Sequence, residues 1–125
     1  MRREIWIGII LGVFCLFPQA SWAKSRIMYT IVIKDHRFHP EELVVPTGKK
    51  IKLIVDNQDP TPEEFESYDL NREKIVGGNK KITVYIGPLK EGIYKYFGEF
   101  HEATAQGVIK AVNDLPSEDQ KEERR

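Results

Sequence analysis

Apolar residues recur at every second position in a series of short runs between Arg26 and Val112, and few folds accommodate that pattern. Ile27, Tyr29, Ile31 and Ile33 alternate with Met28, Thr30, Val32 and Lys34, while Ile51, Leu53 and Val55 alternate with Lys50, Lys52 and Ile54. Ile82, Val84 and Ile86 line one side of residues 80–86, and shorter apolar pieces stand at 43–45, 93–97 and 108–112. Successive side chains of an extended chain point to opposite faces, so these runs read as half-buried strands. Turn residues separate them, at Pro46-Thr47-Gly48, Gly87-Pro88 and Glu91-Gly92. At least five short strands with no sustained helical period predict an all-β sandwich, and 125 residues suffice for one domain rather than two. Between Asp56 and Asn79 the alternation lapses among prolines, glycines and charges. That stretch reads as a long connection between the sheets, with one helical turn near residues 68–73.

The first 23 residues differ from the rest. Arg2 and Arg3 lead into a 13-residue apolar run at 5–17, Pro18 breaks it, and Ser21-Trp22-Ala23 sets small residues at the −3 and −1 positions of a peptidase site. This is the layout of a cleavable secretory signal, with a run shorter than the roughly 20 residues a membrane span needs. The expected organisation is a signal peptide over 1–23, a single domain over 24–113 and a charged, solvated tail over 114–125. After cleavage no stable membrane insertion is expected. Loss of Arg2, Arg3 and Glu4 leaves a net charge of about −1, so no basic field exists to attract nucleic acid. The one cysteine, Cys15, leaves with the signal, so the exported chain has neither a disulfide nor a thiolate for a metal.

The run Phe38-His39-Pro40-Glu41-Glu42-Leu43-Val44-Val45-Pro46-Thr47-Gly48 resembles the cupredoxin pattern F-x-P-x-x-L-x-V-P-x-G. Its physics is direct: Phe38 and Leu43 plug the core, Pro40 bends the chain, and Gly48 permits the turn that follows. Val55-Asp56-Asn57-Gln58-Asp59 resembles the strand end before that family's first copper histidine. Gly92-Ile93-Tyr94-Lys95-Tyr96-Phe97, with His101 and Gly107-Val108-Ile109, resembles the last hairpin, which carries the other ligands. The resemblance implies a cupredoxin-like Greek-key β-sandwich over nearly all of the exported domain.

The departures from the pattern bear on function. A blue-copper centre takes two histidines, a cysteine thiolate and a weak axial methionine. Against the family's Cys-x-x-His-x-x-Met loop the chain has Gly98, His101 and Thr104, and near the first histidine it has Glu63 and Glu64. No type 1 copper is therefore expected. Thr61-Pro62-Glu63-Glu64-Phe65-Glu66-Ser67, Leu70-x-Arg72-Glu73-Lys74, Ile86-Gly87-Pro88-Leu89 and Phe100-His101-x-x-Thr104-Ala105 resemble the EfeO-type and FtrB-type cupredoxin-like domains. That resemblance implies a periplasmic, metal-handling accessory protein of a ferrous iron uptake system built around an Ftr-type iron permease.

An extended 63–67 segment sets Glu64 and Glu66 on one face and turns Phe65 into the core. Carboxylates and imidazole suit hard or borderline ions such as iron, and imidazole also suits copper. If the family topology brings the 57–67 loop beside the 98–106 loop, Glu64, Glu66, Glu99 and His101 converge on an iron or copper ion. Glu63 and a small cluster of His36 and His39 beside Asp35 are secondary candidates for metal contact. Arg72 and Glu73 read as loop-positioning residues, with Arg72 and Lys74 pairing with the glutamates. Two other readings stay open: a metal-free sandwich that docks on a membrane partner, and a periplasmic copper carrier. No nucleophile elbow, phosphate loop, HExxH or CxxC is present, which argues against a self-sufficient enzyme.

Overall fold

The computed structural model describes residues 26–115. The candidate signal segment and most of the candidate tail lie outside the described residues. No described helix is long and apolar enough to cross a membrane. Nine strands form two sheets among the described residues. They are β1 (Ile27–Lys34), β2 (Arg37–His39), β3 (Glu42–Pro46), β4 (Ile51–Asn57), β5 (Glu63–Ser67), β6 (Arg72–Val76), β7 (Lys81–Ile86), β8 (Gly92–Gly98) and β9 (Gln106–Val112). One sheet runs β2-β1-β4-β7 and the other β3-β9-β8-β5-β6. The pairs β1–β4 and β3–β9 are parallel, and the others are antiparallel.

The period-2 pattern becomes the core. Ile31 and Ile33 of β1, Ile51, Leu53 and Val55 of β4, and Val84 and Ile86 of β7 face inward from one sheet. Leu43, Val45, Tyr96, Ile109 and Ala111 meet them from the other. Phe38, Phe65 and Tyr96 interlock at its centre, with ring centroids 4.9 Å apart for Phe38–Tyr96 and 5.2 Å for Phe65–Tyr96. Such aromatic contacts add to the area they remove from water. Gly107 lies against the Tyr96 ring, where an added Cβ would come within 2.3 Å of the ring atom Cζ.

The 56–79 stretch departs from the sequence expectation. It is a β-hairpin, with β5 and β6 joined by a tight turn over 68–71, and residues 68–73 contain no helical turn. Asn71 takes a positive φ of 52° there, and its N–H donates to the Tyr68 carbonyl at 3.1 Å. Two properties of the hairpin mask it. The inward face of β5 carries buried Glu63 and Ser67 on either side of Phe65, so it shows no apolar alternation. β6 is an edge strand, exposed at four of its five positions. The hairpin is pinned by polar contacts instead: Ser67 Oγ donates to the Lys95 carbonyl at 2.6 Å and accepts from the Leu70 N–H at 3.1 Å.

Candidate metal centre

β5 separates two clusters at one end of the sandwich, because consecutive residues face opposite ways. Glu64 and Glu66 point to the outer face. Glu66 lies directly opposite Glu73 of β6 and Phe97 of β8. Glu99, at the start of the 3₁₀ turn Glu99–His101 that follows β8, completes the group. One carboxylate oxygen from each of Glu64, Glu66, Glu73 and Glu99 lies within 4.8 Å of all the others.

Among the described residues this cluster has no basic partner. The ion pairs among the described residues are His36–Asp59 and His101–Glu63, and neither includes it. Arg72 and Lys74 flank Glu73 in sequence but alternate to the other face of β6. Arg72 Nε donates to the Tyr85 carbonyl at 2.8 Å, its Nη1 donates to the Asn71 carbonyl at 2.9 Å, and Lys74 Nζ donates to the Thr83 carbonyl at 3.0 Å. The expected Arg72 and Lys74 pairings with the glutamates are therefore corrected. Arg72 does secure the turn before β6, through carbonyls, while Glu73 is a member of the acidic cluster rather than a positioner of it.

Like charges directly opposite on a sheet repel, and the titration of the group reflects it. The Glu64 carboxyl is pushed up to about 7, first by its hydrogen bond with Glu73, then by burial and the Glu99 charge. Glu66 is also pushed up to about 7, first by its hydrogen bond with Glu99, then by burial and the charges of Glu99, Glu73 and Glu102. The same negative field, led by Glu66, raises the exposed Tyr68 hydroxyl. Near neutral pH the cluster thus holds protons that a multivalent cation can replace.

The second cluster lies on the inner face. Glu63 is 1% exposed. Its Oε1 accepts from the N–H groups of Glu64 at 2.9 Å and Phe100 at 2.8 Å, and its Oε2 lies 2.6 Å from His101 Nδ1. His101 was expected to converge with Glu64, Glu66 and Glu99; it sits instead with Glu63. In a 3₁₀ turn of three residues per turn, positions two apart such as 99 and 101 point about 120° apart. Glu99 therefore joins the outer cluster and His101 the inner one. Glu63, a secondary candidate, is committed to its hydrogen bonds within the protein.

The expected grouping of His36 with His39 and Asp35 is likewise not found. His36 stacks on His101, with ring centroids 3.6 Å apart and planes 12° from parallel. His39 is exposed on β2 and its Nε2 lies 3.3 Å from the Lys34 carbonyl. Asp35 enters only through its N–H.

Sequence reasoning missed Asn57 and Asp59, which hold this region together. Asp59 accepts the N–H groups of Asp35 at 2.8 Å and His36 at 2.9 Å, bracing a turn in which both residues have positive φ. Those hydrogen bonds and the nearby His36 outweigh the opposing effect of burial, and the Asp59 carboxyl falls below its ordinary value. Buried Asn57 donates to the carbonyls of Thr61 at 2.8 Å and Gly77 at 3.1 Å and accepts from the Asp59 N–H at 3.0 Å. The spacing Asn57-x-Asp59 after a strand is an Asx-turn signal that points to both.

Residues 7–111 match the cupredoxin-like domain family. The chain belongs to that family. A relative in Rickettsia prowazekii (strain Madrid E), the protein RP394, is 55% identical over 84 residues, which cover 67% of this chain and 66% of that protein. Solved cupredoxin structures share the fold at low identity. Auracyanin A, a blue copper protein of Chloroflexus aurantiacus, superposes with a TM-score of 0.61 at 15% identity over 70% of this chain and 100% of its own. The metal-binding domain of the Streptococcus pneumoniae Cu(I)-exporting P-type ATPase CopA gives 0.62 at 12% identity over 69% and 85%. A purple cupredoxin of Nitrosopumilus maritimus gives 0.52 at 20% over 66% and 98%.

The blue-copper ion that such a fold implies does not fit the donors present. Position 98 is glycine, and a Cβ there would lie 2.6 Å from Glu63 Cδ and 2.7 Å from Ala105 Cβ. The buried Glu63 carboxylate fills the space beside the position where the family pattern has cysteine. Thr104, at the methionine position, places its Oγ1 2.6 Å from the His36 carbonyl, to which it donates.

Proposed function

We propose that this cupredoxin-like domain is a metal-binding accessory protein that holds an iron ion in the carboxylate cluster of Glu64, Glu66, Glu73 and Glu99. The observation that carries the reading is the absence of any basic partner, among the described residues, for four carboxylates whose oxygens all lie within 4.8 Å of one another. Carboxylates are hard oxygen donors, and ordinary bond lengths to such ions bring donor atoms from several side chains this close together. On this reading the protein carries no type 1 copper and catalyses no reaction of its own.

The leader-like segment at 1–23 and the resemblance to EfeO-type and FtrB-type domains support a periplasmic role in ferrous iron uptake, with an Ftr-type iron permease as partner. Anaerobic titration of the purified protein with Fe(II), and aerobic titration with Fe(III) and Cu(II), tests the site. Binding of iron at micromolar concentration, abolished in a Glu66→Gln/Glu99→Gln variant, is the expected result. Absence of iron binding at that concentration overturns the proposal, and copper binding that survives the double substitution favours copper carriage instead.

A further inference from the structure

The two open sheets end on four edge strands, β2 and β7 in one and β3 and β6 in the other. An edge strand offers unpaired N–H and C=O groups to any extended chain, a second copy included. Three of the four are blunted by their own sequence: β2 has three residues, β3 begins at Glu42 and ends at Pro46, and β6 opens with Arg72-Glu73-Lys74. β7 is different. Its stretch Ile82-Thr83-Val84-Tyr85-Ile86 combines β-branched and aromatic side chains with no charge and no proline, the composition that pairs with itself most readily.

Two cations from the neighbouring edge close it. Arg72 and Lys74 lie opposite Ser67 and Phe65 on the inner face of the β5–β6 hairpin. From there Lys74 Nζ donates to the Thr83 carbonyl at 3.0 Å, and Arg72 Nε donates to the Tyr85 carbonyl at 2.8 Å. Within an extended strand the N–H and C=O of one residue point to the same side. Thr83 and Tyr85 therefore direct their N–H groups to the free edge as well, and the two cations cover the acceptors while leaving the donors. A groove of about 260 Å³ runs between the two strands there, so the backbone of β6 does not itself cover β7.

The β7 edge is self-complementary. Antiparallel pairing about a two-fold axis at Thr83 sets Thr83 against Thr83, where the two residues exchange both N–H···O bonds. It sets Lys81 of each copy opposite Tyr85 of the other, so no like charges meet along β7. That pairing needs the Thr83 carbonyl, which Lys74 occupies, and it would bring Arg72 and Lys74 of both copies together.

We propose that β7 is a strand-pairing surface for a second copy of this chain, and that Arg72 and Lys74 hold it closed by occupying its edge carbonyls. The carboxylate cluster lies on the other face of β6, so this closure and metal binding are independent.

The test is light-scattering mass and amide hydrogen exchange of the parent and of Arg72→Ala/Lys74→Ala, from micromolar to millimolar concentration. The parent is expected to stay monomeric, with rapid exchange at the Thr83 and Tyr85 amides. The double variant is expected to reach twice the monomer mass as concentration rises, with exchange at those two amides slowed at least tenfold. A folded double variant that remains monomeric overturns the proposal. So does an associated species whose Thr83 and Tyr85 amides stay unprotected, and so does a parent already paired through β7. If the double variant does not fold, Lys74→Ala decides by the same two readouts, since it gives up the Thr83 contact and keeps those of Arg72 with the Leu70 and Asn71 carbonyls. Failure of iron binding at the carboxylates leaves this result untouched.

Discussion

Glu63 Oε2 and His101 Nδ1 lie 2.6 Å apart, joining residues 38 positions distant on the inner face of the sandwich. The contact takes up the space that a side chain at position 98 would need, and it directs the His101 ring toward His36. Substitution of Glu63 by Ala strips a partner from His101 and acceptors from the N–H groups of Glu64 and Phe100. We expect a loss on the order of 3 kcal/mol, the cost of breaking a buried charged contact. Urea denaturation measures it, and a loss below about 1 kcal/mol would show that the contact is not a structural anchor.

Glycine at 98 is required by the same contact. An added Cβ meets Glu63 Cδ at 2.6 Å and Ala105 Cβ at 2.7 Å. Gly98→Ala is expected to cost about 1–3 kcal/mol through overpacking. Thermal unfolding followed by circular dichroism checks it, with Gly78→Ala as a comparison, since its Cβ meets the rigid Pro60 carbonyl at 2.0 Å and should be at least as costly.

The carboxylate cluster makes the metal-free protein less stable as the pH rises. Glu64 and Glu66 titrate near 7 in the fold and near 4.5 when unfolded. Between those values the native state binds more protons than the unfolded chain, so stability falls as pH climbs from about 4.5 to 7 and levels off above. Saturation with iron should remove most of that slope. A melting temperature of the metal-free protein that rises over this range contradicts the clustering.

Removing one charge should relieve the repulsion. Glu66 faces Glu73 across the β5–β6 pair, so Glu66→Gln is expected to raise the metal-free melting temperature at pH 8 by roughly 1–4 °C. The same substitution should weaken iron binding at least tenfold. A variant that is stabler but binds iron unchanged would separate repulsion from coordination and place the ion elsewhere.

Asp59 acts with the opposite sign. Its folded carboxyl titrates below the ordinary value of 3.8, so its contribution is full above that value and is lost as the pH falls through the folded pKa. Asp59→Ala should abolish this acid-side loss and leave the N–H groups of Asp35 and His36 without their acceptor. Amide exchange at those two positions reads the effect directly: both are expected to exchange faster than in the parent.

Much of the fold was legible because apolar alternation is a local property. The runs of β1, β4, β7, β8 and β9 each announce a buried face, and the buried Phe38 and Leu43 confirm the plug that the 38–48 motif predicts. The hairpin of β5 and β6 was not legible, since a strand whose inner face includes Glu63 and Ser67 carries no hydrophobic period. Glu64 and Glu66 were placed correctly on one face by the two-residue repeat alone. Glu73 was not recognised as their neighbour, because that depends on the register across a turn.

The sequence by itself determined the alternating core, the absence of a thiolate beyond Cys15, and a surplus of carboxylates around β5. Which of those carboxylates meet was decided only in the tertiary structure. Strand pairing and the 3₁₀ turn send Glu99 outward to Glu64, Glu66 and Glu73, and His101 inward to Glu63 and His36. The reason is geometric: composition states which donors a chain possesses, but convergence depends on register and handedness, which arise when distant segments pack.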